Sequence, residues 1–248
     1  MIRIRMRLSR SFAAGLVAVV LIAGRARCGQ AADPAPDLKK AETAAATYYL
    51  SLPRRWTADR AWPILVTIEG SGHNFLGNCQ SFIQARGDGP FIIVTPCVSS
   101  NGNDPADARA VLAIAREVQQ AGHGQAKFFL TGFSAGGHVA WQIIFAHPEL
   151  LAGAAPAAGN YRGRGVNTIS DAPERVQVPI HAFQGDRDPH LTALNEQWDS
   201  ASALAREHGY QNIIRTMVPG AGHSAFPEQV IEFCSGVLSQ VQTVRSPG

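Results

Sequence analysis

The sequence predicts a three-layer α/β/α sandwich on a mostly parallel sheet, and two observations carry that expectation. Short β-branched apolar runs bounded by Pro or Gly recur along the chain, and helical patterns with recognisable start and stop residues alternate with them. Such alternation implies helices on both faces of the sheet, so the strands read as continuous apolar runs. No internal repeat or low-complexity tract interrupts it. Of 248 residues, 46% are hydrophobic, enough for one sizeable core. The expected organisation is a leader over 1–32, a flexible mature N-terminus over 33–45 and one folded α/β domain over 46–248, without a large lid domain.

The leader has three parts. MIRIRMRLSR is basic, SFAAGLVAVVLIAG is apolar but short for a membrane span, and RARCGQAAD offers small residues for cleavage near Ala31 or Ala32. That is the pattern of a secretory signal peptide, with an uncleaved N-terminal anchor as the alternative. Arg27 before Cys28 argues against a lipoprotein site. The expectation is a secreted or periplasmic protein with no stable membrane partner after cleavage. Six leader arginines face no acid, so their removal turns the formal net charge from +3 to −3. The basic character belongs to the leader, leaving no electrostatic case for nucleic acid.

The elements follow in order. ATYYLSLP (46–53) alternates as an early strand should, and PILVTIEG (63–70) and PFIIVTP (90–96) read as buried strands. A helix follows over 104–122, with Asp104 as N-cap, Pro105 in the first turn and Gly122 past its end. AKFFLTGF (126–133) is the next strand, and a helix from 135 stops before Pro148. Strands over 150–159, 178–186 and 212–220 and helices over 192–209 and 227–241 complete the pattern. Residues 160–177 are irregular and too short for a substantial lid.

Gly132-Phe133-Ser134-Ala135-Gly136 fits G-x-S-x-G, lying after an apolar strand and before a helical pattern, the setting of a nucleophile elbow. Bulky residues at either glycine would clash in so tight a turn, and the helix N-terminus favours negative charge beside Ser134. A serine hydroxyl needs a base, and the base an orienting acid. In this topology the order is Ser, acid, His, each at a strand end. QGDRDPH after the strand VPIHAF offers Asp186 and Asp188, and GAGHSAF after the last strand offers His223. His190, close to Asp188, is the rival base.

At these residues the chain resembles the α/β-hydrolase superfamily, and more closely secreted feruloyl/acetylxylan esterases and polyhydroxybutyrate depolymerase-like esterases. The resemblance covers roughly residues 46 to 240. It rests on GFSAGG with AHPELLAGAAPAAG, on GDRD and on GAGHSAFP. It implies that the last Asp of G-x-x-D, Asp188, is the triad acid and that His223 is the base. It also implies an oxyanion hole from the backbone amides of Ala135 and Ser71. The chain departs from these relatives where Glu69-Gly70 replaces His-Gly. Backbone donors survive that change, but a carboxylate beside the site calls for a nearby donor to hold it.

His73, His138 and Tyr161 are candidate substrate-lining residues, with packing as the alternative; Trp198 is a candidate platform and His181 a satisfied core residue. Beyond the leader stand Cys79, Cys97 and Cys234, without metal-ligand spacing. Cys79 and Cys97 either form a local disulfide or remain buried thiols. No metal or organic cofactor is implied. The expectation is a secreted serine carboxylic-ester hydrolase acting through an acyl-enzyme. Its substrate is a small-molecule or polymeric ester: short-chain, feruloyl- or acetyl-polysaccharide, or polyester. A serine peptidase or amidase and a non-catalytic binding protein are the alternatives. Oligomeric state is not readable.

Overall fold

In the computed structural model the described residues are 35–100, 105–161, 163 and 168–245, with side chains described up to residue 240. The leader expected over 1–32 and the Asp104 cap lie outside them. The chain divides into Met1–Ala32 and Asp33–Gly248, and every described element belongs to the second unit.

Its elements run β1 (Asp37–Lys40), β2 (Thr47–Ser51), β3 (Ile64–Ile68), α1 (Phe75–Arg86), β4 (Ile92–Cys97), α2 (Pro105–Ala121), β5 (Phe128–Gly132), α3 (Gly136–Ala146), β6 (Leu151–Ala154), β7 (Ile180–Gly185), α4 (Leu191–Glu207), β8 (Ile213–Val218) and α5 (Pro227–Arg245). Among the described residues the strands form one sheet in the order β1-β2-β4-β3-β5-β6-β7-β8. Only the β1–β2 and β2–β4 pairs are antiparallel.

Every residue of β3 and β5 is buried, because helices cover both faces of the sheet. Alternate side chains of β3 serve opposite layers. Ile64, Val66 and Ile68 pack with α2 and α3 residues such as Val111, Ile114, Val139 and Ile143, whereas Leu65 joins Phe82 of α1 and Val230 of α5. Thr67, the polar member of β3, pairs its hydroxyl with that of Thr95 on β4 at 2.6 Å. In the first layer Phe145 meets Tyr210 edge-on, with ring centroids 5.7 Å apart, and the buried Tyr210 hydroxyl donates to the Ile144 carbonyl at 2.7 Å.

Three local readings change. Residues 37–40, expected to be part of a flexible N-terminus, pair with β2 from Asp37↔Leu50 to Lys40↔Thr47 as the edge strand. Backbone pairing supplies the order, since all four side chains are exposed. Helix α1 went unread because two polar residues share its inward face with Cys79, Phe82 and Ile83. Asn78 donates to the Thr67 carbonyl at 3.4 Å, and Arg86 donates to the carbonyls of Ser51 and Phe91 at 3.2 and 3.1 Å. Cys79 and Cys97 are free thiols rather than a disulfide, and Cys234 is also free. Cys79 belongs to the apolar layer with Phe82 and Ile93, and burial pushes its thiol up to about 11.

The sheet has a thin seam. β7 and β8 are registered over six residue pairs, from Ile180↔Ile213 to Gly185↔Val218, whereas β6 meets β7 only at Ala154↔Ile180. A bridge at Ala157↔Phe183 continues the contact.

Tyr210→Phe leaves the buried Ile144 carbonyl without its donor. The expected result is a loss of about 1–2 kcal/mol of stability, read as a lower midpoint in urea unfolding with unchanged slope.

Candidate active site

The turn from β5 into α3 forms because two glycines permit it. A Cβ on Gly132 would collide with the Gly136 carbonyl, and one on Gly136 would lie 2.6 Å from the Ile68 carbonyl oxygen. Between them Ser134 adopts φ +50°, a left-handed conformation uncommon for a serine and characteristic of a strained functional turn. The backbone over-determines it: Ser134 N donates to the Ala157 carbonyl at 3.1 Å, while its own carbonyl accepts from Gly137 N and Asn160 N at 2.9 and 2.8 Å. The loop after β3 closes over this turn, since a Cβ on Gly70 would stand 3.0 Å from Ser134 Cβ.

The candidate acid and base come from the strand ends of β7 and β8. Gly185 has room for no side chain, because a Cβ there would run into the carbonyls of Ala221 and Gly222, the two residues before His223. That contact presses the two loops together. His223 Nδ1 bonds Asp188 Oδ2 at 2.7 Å. As Asp188 is ionised, the ring nitrogen donates, leaving Nε2 as the acceptor in a neutral imidazole. Asp188 Oδ2 also accepts from Gln184 Nε2 at 2.9 Å, and Oδ1 from the His190 amide at 2.8 Å. Burial by itself would raise the Asp188 carboxyl; the His190 amide, His223 and Gln184 outweigh it and hold it below the ordinary 3.8. Asp186 is exposed and accepts from Gly220 N at 2.7 Å instead.

The His223 ring packs on Phe133, the residue before Ser134, with centroids 4.9 Å apart. The structure therefore joins Asp188 to His223 directly, and brings His223 to the Ser134 turn by adjacency. Catalytic hydrogen bonds to a free hydroxyl often tighten only with substrate bound. Among the described residues, the backbone amides of Ala135 and Ser71 have no backbone acceptor outside the helices and strands.

Glu69 closes the site on the β3 side. Only 7% exposed, it is pushed above the usual 4.5 by burial, against the pull of the Gly70 amide and of His73. The donor that its position calls for is that amide. His73 lies in the same loop at φ +53°, exposed, stacked on Phe75 and bonded through Nε2 to the Ser99 carbonyl at 3.0 Å.

Other candidates take packing positions. Tyr161 is 7% exposed, its ring edge-on to Trp141 and Phe145, so it belongs to the α3 layer. His138 is buried in α3. Trp198 packs on Trp141 with Arg215 above its ring. His181 bonds Thr216 and stacks on Phe183, and burial lowers its pKa. His190 meets the His223 ring edge-on at 5.3 Å and reaches Asp188 only through its backbone amide. Sequence reasoning missed Phe133 and Gln184; G-x-S-x-G leaves the first unspecified, and no motif marks the second.

A family model described as the dienelactone hydrolase family matches residues 94–233, a stretch containing Ser134, Asp188 and His223. No curated protein matches the chain. Among solved structures it is similar to a thermostable esterase at 20% identity and TM-score 0.61, covering 84% of this chain and 62% of that one. The chain thus spans under two thirds of that esterase. It is also similar to a poly(3-hydroxybutyrate) depolymerase from Bordetella parapertussis (16% identity, TM-score 0.63, 88% and 92% covered). A third likeness is to poly(aspartic acid) hydrolase-1 from Sphingomonas sp. KT-1 (16%, 0.63, 86% and 98%). At these identities the likeness establishes the α/β-hydrolase fold.

A raised carboxyl makes folding less favourable as pH climbs from its ordinary value through its raised one, because the native state holds the proton more tightly. Glu69→Gln removes that titration while keeping the shape. The expected outcome is a gain in Tm over wild type at pH 8 that shrinks toward pH 4, read by thermal unfolding. An equal Tm difference at both pH values would show that the carboxylate carries no penalty.

Proposed function

The chain belongs to the dienelactone hydrolase family, and from that premise we propose that it hydrolyses carboxylic esters with Ser134 as nucleophile, His223 as base and Asp188 as orienting acid. Membership makes it a hydrolase of the dienelactone hydrolase and esterase type. The observation that carries the finer reading is the 2.7 Å bond from His223 to a fully buried Asp188 carboxylate, set against the strained Ser134 turn.

In this reading Ser134 Oγ attacks the ester carbonyl as its proton passes to His223 Nε2. The charge on the carbonyl oxygen falls to the Ala135 and Ser71 amides. The tetrahedral intermediate collapses, the alcohol leaves with the proton held by His223, and the acyl group stays on Ser134. Water, deprotonated by His223, then attacks the acyl-enzyme and releases the acid. Asp188 remains a carboxylate throughout, holding the tautomer and stabilising the imidazolium.

The segment between β6 and β7 is too short to add a lid domain, which favours an ester carried on a polysaccharide or polyester, or a short-chain ester, over a buried long lipid. The leader pattern of 1–32 favours work outside the cytoplasm.

Ser134→Ala is expected to lower kcat on p-nitrophenyl acetate by at least about 10⁴-fold and to abolish fluorophosphonate labelling of the folded protein. Asp188→Asn falls steeply as well, while Asp186→Asn stays near wild type. Methyl ferulate and aminoacyl anilides assayed in parallel decide the reaction class, and anilide turnover exceeding ester turnover would overturn the ester reading.

A further inference from the structure

The strand that delivers the acid also places a second polar side chain against it. Gln184, next to last in β7, is 4% exposed. Its Nε2 donates to Asp188 Oδ2 at 2.9 Å and more weakly to the Gly185 carbonyl at 3.3 Å. The same Oδ2 accepts from His223 Nδ1 at 2.7 Å. Gln184 also borders a cavity of about 10 Å³ shared with Trp141, Trp198 and Arg215, room for about one water molecule.

A carboxylate only accepts, so the amide must turn its NH₂ toward Asp188 and its oxygen away. A buried primary amide is unfavourable unless its polar ends have partners, and an apolar side chain of that size would fill the place without such a requirement. What justifies an amide here is Asp188.

We propose that Gln184 is a positioning residue of the triad: it holds Asp188 Oδ2 in line with His223 Nδ1 and occupies one of that oxygen's lone pairs, so that the shared proton stays on Nδ1 and Nε2 is left free to accept from Ser134. The proposal rests on the triad reading and goes beyond it. Gln184 touches neither substrate nor reacting atoms. Without it, Oδ2 has one donor in a buried setting, pulls harder on the imidazole and favours its protonated form. The titratable and charged groups around the pair are His190, edge-on to His223, Asp186, whose carboxylate is engaged by Gly220 N, and Arg215, across the cavity from Gln184. Working in an H190Q background keeps the neighbouring imidazole out of the profile.

The test compares Q184M and Q184L with the parent protein. It reads kcat and KM on p-nitrophenyl acetate, the pH profile of kcat/KM, and the low-field proton resonance of the Asp188–His223 hydrogen bond, assigned by its loss in H223Q. Q184M is expected to leave KM within about twofold, lower kcat roughly tenfold, move the acid limb to higher pH and shift the resonance. Q184L removes the same donor and is expected to move the limb the same way. Thermal unfolding verifies each fold, and Q184L carries the comparison should Q184M fail to fold. An unchanged acid limb and resonance in the folded variants, with or without a uniform drop in rate, would overturn the positioning role. Because the resonance needs no turnover, that failure is distinct from failure of the triad reading, which an active S134A variant would reveal.

Discussion

The candidate site depends on one close approach, that of the start of α3 to the end of β3. Gly136 lies so near the Ile68 carbonyl that no side chain fits between them, and Gly132 leaves the same absence of room on the other side of the turn. This packing holds Ser134 at a φ it would not adopt alone, and the bonds from Ser134 to Ala157, Gly137 and Asn160 offset that strain. The consequences spread outward. Among the described residues the Ala135 amide has no backbone acceptor outside the helices and strands, Phe133 is left to support the His223 ring, and the loop bearing Gly70 is drawn against Ser134.

Two carboxylates border this turn in opposite surroundings. Asp188 is buried yet receives three donors on two oxygens, and they outweigh the loss of water. Glu69 is buried with the Gly70 amide and a nearby His73 for company, and burial prevails. Asp188 has three donors to offset the cost of burial, whereas Glu69 has one amide. One fold thus holds a firmly ionised acid opposite one that resists ionisation.

The sheet was legible because its strands are short, apolar and bounded by Gly or Pro, and helices α2 to α5 because their inward faces are mostly apolar. Helix α1 was not, because Asn78 and Arg86 sit on its inward face and find backbone carbonyls that no periodicity reveals. β1 escaped notice because its order comes from backbone pairing with β2 while its side chains stay in water. In the site, Ser134, Asp188 and His223 stood out through a motif and strand-end order. The sequence could not separate Asp186 from Asp188 on its own; the structure shows that one carboxylate turns toward Gly220 N and the other toward His223. Gln184 and Phe133 belong to the same neighbourhood, yet their roles are contacts across the fold and leave no local pattern. Tyr161 shows the converse: an aromatic in a loop near a strand end looks available for substrate but completes a buried cluster with Trp141 and Phe145.

The seam between β6 and β7 runs between the two halves of the candidate chemistry. Ser134 stands on the side of β5 and β6, and Asp188 and His223 on the side of β7 and β8, whose own pairing is far more extensive than the single registered pair and neighbouring bridge between β6 and β7. Side chains make up the difference, since Phe183 and Val230 share one apolar layer with Leu65 and Phe82. Shared apolar layers, more than strand pairing, keep the candidate acid and base beside Ser134. Loss of that packing would part the two halves of the candidate site, which makes turnover a more sensitive gauge of the molecule's integrity than its helix content.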